Sequence, residues 1–530
     1  MDTILGIDLG TTNCSVTAIG DDGRTMVVKN SLGEYITPSA VYFCEKKNEF
    51  IVGKNAKEKS NSDPANLVLF VKREMGKDKT KVREDKIDGT FSPYKFWNKV
   101  WSPEEISAVI LKQLKQDAEK ALGKEIKKAV ITCPAYFGDA EKNATEIAGK
   151  LAGLEVLEIL AEPTAAAFSY SAVSKRNEET VLVFDLGGGT FDVTILKITT
   201  GKNGRIVEPI ATDGNHKLGG KDWDDAIISY MIDRFDKKYN LDIDFEPKSQ
   251  KELVYGKLRI EVEKAKVALF KESVDSVPLT IEYGGKSLTE NISRSLYAQK
   301  TQGLTDQCKI YCNNILAGKN LSWNDIDTIL MIGNMSNCAT IQDSLREWSG
   351  KDINFGLINP KTCVSEGAAI KGFLIEGGAP GDGQIFDPAE TKSGVLPSSV
   401  GIKVINNKTG KEVVYKFFKK NDSYPCTFTH AFPPVRDGDE NLTLEVYEGE
   451  GETPDSCSLL GTANVNLGGS LTKQDKLEIK LSKDNSGILR IEAKNQKSGI
   501  YMKAEINRGN VISDADLEKE AKEFEEFSLG

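Results

Sequence analysis

The chain has 530 residues, of which 39% are hydrophobic and 28% charged, with a formal net charge of −10. At roughly 150 residues per folding unit this length holds about two to four units, and the composition is that of a globular chain rather than a disordered one. The acidic balance argues against nucleic acid or an anionic membrane as main partner, and no apolar run approaches the ~18 residues of a membrane span.

The chain enters a strand at once with Ile4, Leu5 and Ile7, turns through Asp8-Leu9-Gly10-Thr11-Thr12, and continues into a second strand. No basic region with an apolar segment opens it, and Glu526-Phe527-Ser528-Leu529-Gly530 carries no retention or lipidation motif, so a cytoplasmic location is the default expectation. Ser102-Pro103-Glu104-Glu105 is a capping box with proline at the first helical position. Ile106, Val109, Ile110, Leu114, Ala118 and Leu122 then recur at helical spacing until Gly123 ends the run. A buried strand is predicted over 129–137, a helix over 139–153, a strand over 154–160, and a further helix with Pro163 near its first turn. This alternation reads as α/β with mixed sheets.

Glycine, proline and acids cluster over 377–394 and mark a linker. Beyond it, short strands at 400–405, 412–418, 426–432, 442–449, 460–467, 476–482 and 487–494 alternate with turns, which describes a β-sandwich of roughly 110 residues. One acidic helix, SDADLEKEAKEFEEF, follows. The nine cysteines form no Cys-x-x-Cys pair, so neither a zinc site nor a disulfide framework is indicated, and Cys308 and Cys312, one helical turn apart, read as core-facing thiols. With only His216 and His430 present, acid–base chemistry falls to carboxylates, lysine or water.

Residues 181–196, VLVFDLGGGTFDVTIL, repeat the opening phrase of strand, Asp-Leu-Gly, small residues and strand. Each copy reads as a hairpin with one buried face, Val16 and Ala18 lying on one side of the second strand and Ser15 and Thr17 on the other. Glycines in such turns let backbone N–H groups close on an anion, and Thr11, Thr12 and Thr190 add hydroxyl donors. Asp8 and Asp185 cannot touch phosphate directly, but they can hold a hydrated magnesium that bridges to it. One Asp-Leu-Gly turn is weak evidence; two with matching flanks suggest a duplicated fold with a nucleotide in the cleft between halves. A P-loop is not indicated, because the stretch Gly214–Asp222 has one residue too many before its lysine and no following Ser/Thr.

These turns, with ITCPAYFGDAEKNAT and AEPTAAAF, closely resemble the 70-kDa heat-shock chaperone family, built on the actin-like ATPase fold, from residue 2 to about 508. The resemblance implies a multidomain α/β plus β chain. Residues 1–380 would be a two-lobed nucleotide-binding domain, with lobe I at about 1–174 and 355–380 and lobe II at about 175–354. A linker at 381–394, a β-sandwich substrate-binding domain at 395–508 and a truncated lid helix at 509–530 would follow. It implies an ATP-dependent chaperone that slowly hydrolyses Mg-ATP to ADP and phosphate and binds extended hydrophobic segments of unfolded or nascent polypeptides. A J-domain co-chaperone and a nucleotide exchange factor would be its partners.

Residue by residue, Lys72 looks like the catalytic lysine that positions water and stabilises the transferring phosphoryl, although alone the Lys72-Arg73 pair reads as solvated surface charge. Glu162 matches the glutamate near water and metal, Asp8, Asp185 and Asp192 the carboxylates around magnesium and a monovalent cation such as potassium, and Thr11 and Thr190 hydroxyls on phosphate. The nucleotide set is completed by Gly10, Thr12, Asn13, Gly187, Gly188, Gly189, Gly219, Gly220, Glu263, Lys266, Phe270, Gly333 and Asn334. In the sandwich, the family's peptide pocket maps onto Ile402, Ile405, Phe432, Leu442, Leu444 and Ile488, with Ile405 and Val435 as the arch, while Ile402 and Leu444 also fit an ordinary core.

The chain departs from the family at the adenosine side. Val267 stands where an arginine stacks on adenine, Phe270 where a small hydroxyl residue sits, and the turn at 332–337 reads IGNMSN. Lys142 replaces an arginine of the interdomain relay, and Ile385 and Phe386 are the only substitutes for the linker's leucines. The rival reading is a non-cycling ATP-binding co-chaperone or scaffold like the family's short ribosome-associated relatives; a small-molecule kinase is disfavoured by the sandwich. Loss of one stacked arginine costs about 0.5–2 kcal/mol, so calorimetric titration is expected to give weaker ATP affinity than is typical of the family. Tight binding that Phe270→Ser leaves unchanged would overturn this.

Overall fold

The computed structural model describes residues 3–20, 23–84, 91–271, 273–353, 356–378, 386, 391–406, 408–433, 439–471, 476–495, 501–504, 506–507, 514–525 and 528–529. Lobe I is built on a six-stranded sheet in which Glu155–Ala161, Lys128–Cys133, Ile4–Asp8, Asn13–Ile19 and Thr25–Val27 lie side by side and Thr37–Pro38 pairs with Asn13–Ile19. Lobe II has a four-stranded sheet in the order Gly204–Asn215, Phe191–Gly201, Glu178–Leu186, Thr328–Ile332. Each lobe has its own apolar core, and a third cluster joins them through Val130, Ala165, Ala166, Val183, Val364 and Ala368. The Glu162–Val173 and Cys363–Ile375 helices supply that shared layer.

Several local expectations hold. The Pro103–Leu122 helix starts on the Ser102 capping box and ends on Gly123 in the left-handed conformation. Cys308 and Cys312 lie in the core of lobe II. The strand expected over 129–137 stops at Cys133, because Pro134 begins a turn. The two hairpins differ from expectation: they are covered on both faces. Ser15 and Thr17, expected to face outward, are buried under the Cys363–Ile375 helix, where Ser15 Oγ donates to Ser365 Oγ at 2.9 Å and Thr17 Oγ1 lies 2.8 Å from the same atom. A polar side chain on a strand thus marks a hydroxyl partner here, not solvent.

The sandwich pairs a five-stranded sheet (Glu412–Phe418, Val400–Ile405, Asp439–Glu448, Ser458–Leu471, Ile506–Asn507) with a four-stranded one (Cys426–Phe432, Leu477–Lys483, Leu489–Asn495, Tyr501–Ala504). Of the approach to it, Phe386 is described and Ile385 lies outside the described residues. Phe386 is buried against Phe168, with ring centroids 5.2 Å apart, and bridges to Arg205; Lys392 N then donates to Val207 O at 3.2 Å. The Phe386 side chain therefore fills the core shared by the lobes.

The Asp514–Glu525 helix lies on lobe I rather than over the sandwich. Phe524 is 3% exposed within the lobe I core, with Leu517, Ala521 and Leu529 packed around it. Lys99 pairs with Glu520 at 3.4 Å, and the Ser528–Leu529 strand adds parallel to the edge strand Glu49–Val52. Among the described residues no helix is long and apolar enough to cross a membrane. Phe524→Ala is expected to cost about 3 kcal/mol of this burial, and hydrogen exchange over 514–525 should accelerate by about a hundredfold; unchanged protection would show that other contacts hold the helix.

Candidate functional site

The repeated phrase is repeated topology. Ile4–Asp8 pairs antiparallel with Asn13–Ile19 and parallel with Lys128–Cys133, and Glu178–Leu186 pairs antiparallel with Phe191–Gly201 and parallel with Thr328–Ile332. Parallel neighbours bring the strands' carboxyl ends to one edge, where open α/β sheets form their clefts. Asp8 therefore ends its strand at the cleft, and Asp185 stands one residue before the end of its own. The two turns touch: a Cβ at Gly188 would meet Thr12 Oγ1 at 1.6 Å, and one at Gly189 would meet Thr11 Cγ2 at 2.2 Å. Glycine is required at Gly188 because the opposite turn occupies the side-chain position.

The inner end of the cleft is a cavity of about 70 Å³ lined by Asp8, Thr11, Lys72, Glu162, Asp185 and Thr190, together with Gly10, Thr12, Asn13, Gly187, Gly188, Gly333 and Asn334. Lys72 and Glu162 form an ion pair, and Lys72 is 5% exposed, so the solvated-surface reading of this lysine is overturned. Burial raises Asp8 to about 7, Glu162 adding to the rise and Lys72 opposing it. Burial also pushes Asp185 well above the carboxylate range, with Glu162, Asp192 and Asp8 adding to the shift. Lys72 is raised: burial works against its charge, but Glu162 and Asp8 outweigh it.

Asp192, expected among the metal carboxylates, pairs with Asp185 across the second hairpin and has hydrogen-bond donors of its own. It accepts from Ala135 N at 2.5 Å and Thr212 Oγ1 at 3.0 Å, and burial raises it to about 7. Among the described residues no three carboxylate, imidazole or thiol side chains converge as a metal cage. A buried site with Asp8, Asp185 and Glu162 around one lysine nonetheless suits a cation that keeps its waters and needs few protein ligands.

The outer end is a cavity of about 280 Å³, lined among others by Glu263, Lys266, Phe270, Gly220 and Asn334. Gly189 and Gly219 pack behind, where a Cβ on Gly219 would meet Gly189 C at 2.4 Å. Glu263 pairs with Lys57 at 2.6 Å, and Lys266 with Asp224 at 2.8 Å. Val267, 51% exposed, and buried Met335 complete an apolar wall with Phe70 and Ile260. Sequence reasoning missed Arg73, whose Nε donates to Gly189 O at 2.6 Å and whose guanidinium pairs with Asp222, tying the lobes together. Its position next to Lys72 was the available signal.

In the sandwich, Ile402, Leu444 and Ile488 are buried, Phe432 and Leu442 are half-buried against the core, and Ile405 is 45% exposed. Val435, expected in the arch, lies outside the described residues. Sequence reasoning also missed an aromatic cluster beside Phe432, in which Tyr415 OH lies 3.1 Å from His430 Nδ1 and the Tyr415 and Phe432 ring centroids are 5.2 Å apart.

Two lobes with duplicated phosphate-type turns, a lysine buried at their meeting point and a β-sandwich behind them define a chaperone-type ATPase of actin-like fold. The family model described as Hsp70 protein matches residues 4–529. The chaperone protein DnaK of Thermotoga neapolitana is 36% identical over 532 residues, covering 99% of this chain and 84% of that protein. That of Cyanidium caldarium is 34% identical over 537 residues, covering 99% and 83%. The chain belongs to the Hsp70 family, whose members are ATP-binding chaperones that hydrolyse ATP with magnesium. Gly188→Ala is expected to force the two turns apart and lower ATP affinity by about tenfold or more. Titration should show this loss, together with partial recovery when Thr12→Gly is added; an unchanged affinity would show that the turns part freely.

Proposed function

We propose that this chain binds Mg-ATP in the cleft between its lobes, hydrolyses it slowly, and holds extended hydrophobic peptide segments in its sandwich. The observation that carries the reading is the buried Lys72–Glu162 pair among Asp8, Asp185 and Thr190 at the meeting point of the two turns. The turn amides and the Thr11 and Thr190 hydroxyls would receive the phosphates. Lys72 stays cationic beside Glu162 and Asp8 and would neutralise charge developing on the transferred phosphoryl group, while Glu162 keeps the lysine in place and orients the attacking water. Asp8 and Asp185 would hold magnesium through its waters, and the ion, once bound, offsets the phosphate charge that these carboxylates repel. Asp192 takes a supporting role in this reading, fastening the Ala135 turn; a potassium ion beside it belongs to the same proposal.

Half-exposed Ile405, with Phe432 and Leu442 half-buried against the sandwich core, supports peptide capture, with unfolded or nascent chains as ligand and a J-domain protein and an exchange factor as partners. The domain limits expected from the sequence belong to this reading, with 514–529 assigned to lobe I rather than to a lid. So does a cytoplasmic location, which nine free thiols support. The second reading, a nucleotide-stabilised scaffold that does not cycle, is favoured by the apolar outer wall of Val267 and Met335. Single-turnover hydrolysis of ATP decides between them. Wild type is expected to turn over and Lys72→Ala to lose at least about a hundredfold; no turnover in wild type would leave the scaffold reading.

A further inference from the structure

The Asp139–Leu151 helix carries its first turn into the sandwich. There Asp139 Oδ1 pairs with Lys483 at 3.2 Å and accepts from Leu489 N at 2.5 Å. Lys142 donates to Tyr424 OH at 3.1 Å, with its ammonium 4.3 Å from that ring's centroid. In each of these contacts one side complements the other. Glu141 of lobe I and Glu448 of the sandwich do not follow that pattern. A carbon built at Gly138 as a side chain would meet Glu448 Oε2 at 2.7 Å and Glu141 Oε2 at 3.1 Å, so the two carboxylates converge on one glycine from opposite domains.

Glu448 accepts from Ser398 Oγ. The other charged groups facing the pair are Asp139 and Lys142 on the helix, with Lys483 and Asp484 on the sandwich side. Lys483 is already shared with Asp139, and Asp484 is bound to Arg490 at 3.2 Å. Asp139, Glu141 and Glu448 thus outnumber Lys142 and Lys483 by one charge, which a single carboxyl proton would neutralise. Two carboxylates so placed do not both ionise easily.

We propose that docking of the sandwich on lobe I is proton-linked, Glu141 and Glu448 sharing one proton across the interface when docked and releasing it when the domains part. Burial, and after it the charge of Glu448, raises Glu141 to about 7, and burial also raises Glu448. Parted, both carboxyls return to the ordinary range near about 4.5. The sign follows. As pH rises above that range the parted domains lose their protons first, and docking weakens by up to about tenfold per pH unit. The loss is complete near pH 7, where the docked pair ionises as well.

The test is hydrogen exchange of the full chain from pH 5.5 to 7.5, corrected for intrinsic exchange rates, read over 139–151 and 484–493. Docking of the wild type is expected to weaken by about tenfold or more across that range. Glu141→Gln and Glu448→Gln should each flatten the profile and leave docking at pH 7.5 stronger than in wild type. Asp139→Asn, which removes a complementary contact, should weaken docking and keep the slope. A flat wild-type profile would overturn the proposal. So would a slope that both glutamine variants keep, or weaker docking in both at every pH.

Discussion

The contact between the two glycine-bearing turns is the constraint on which the rest of the cleft between the lobes depends. Gly188 and Gly189 press against Thr12 and Thr11 so closely that no side chain fits between them. This approach fixes how near the two strand ends can come, and with them Asp8 and Asp185. Lys72 arrives from a short helical turn of lobe I and meets Glu162, at the start of the helix in the shared core, at bonding distance. Burial then makes the surrounding carboxylates costly to ionise, so the site is short of positive charge by construction. A polyphosphate with its cation suits such a site, because the cation supplies the missing charge and the turn amides supply the donors.

The two ends of the cleft are built differently. At the inner end charge is concentrated and buried. At the outer end the charged residues are already committed within the protein: Glu263 to Lys57, and Lys266 to Asp224. A ligand's ribose would have to share or break these pairs, while its base would meet an apolar wall. Binding at that end therefore rests on surface burial more than on new hydrogen bonds.

Beyond the lobes, the architecture is tied together by contacts that close exposed edges. Phe386 fills the shared core on the way to the sandwich, and the Ser528–Leu529 strand covers the edge of Glu49–Val52. An uncovered edge strand invites pairing with other chains. The domain interface itself mixes complementary pairs with one like-charged pair, which makes it strong in geometry and sensitive to protonation.

The sequence by itself determined the elements whose signals are local. The capping box at Ser102, the strand and helix periods, the seven sandwich strands and the doubled Asp-Leu-Gly turn each need only neighbouring residues to be recognised. The doubled turn pointed to Asp8, Asp185 and Thr190, and the family resemblance to Lys72 and Glu162; the fold brings all five to one cavity. Only the tertiary structure decided what depends on residues far apart in the chain. Ser15 and Thr17 alternate like a solvent face, yet Ser365, some 350 residues later, buries them. Lys72 and Arg73 read as surface charge until Glu162 and Asp222 meet them across the fold. The acidic last helix reads as a lid remnant, yet Phe524 assigns it to lobe I. Asp192 matches a metal carboxylate by motif, and only the fold shows that Ala135 and Thr212 fasten it. In every case the side chain's identity was plain and its partner was not, because burial and pairing are properties of the folded contact rather than of the local pattern.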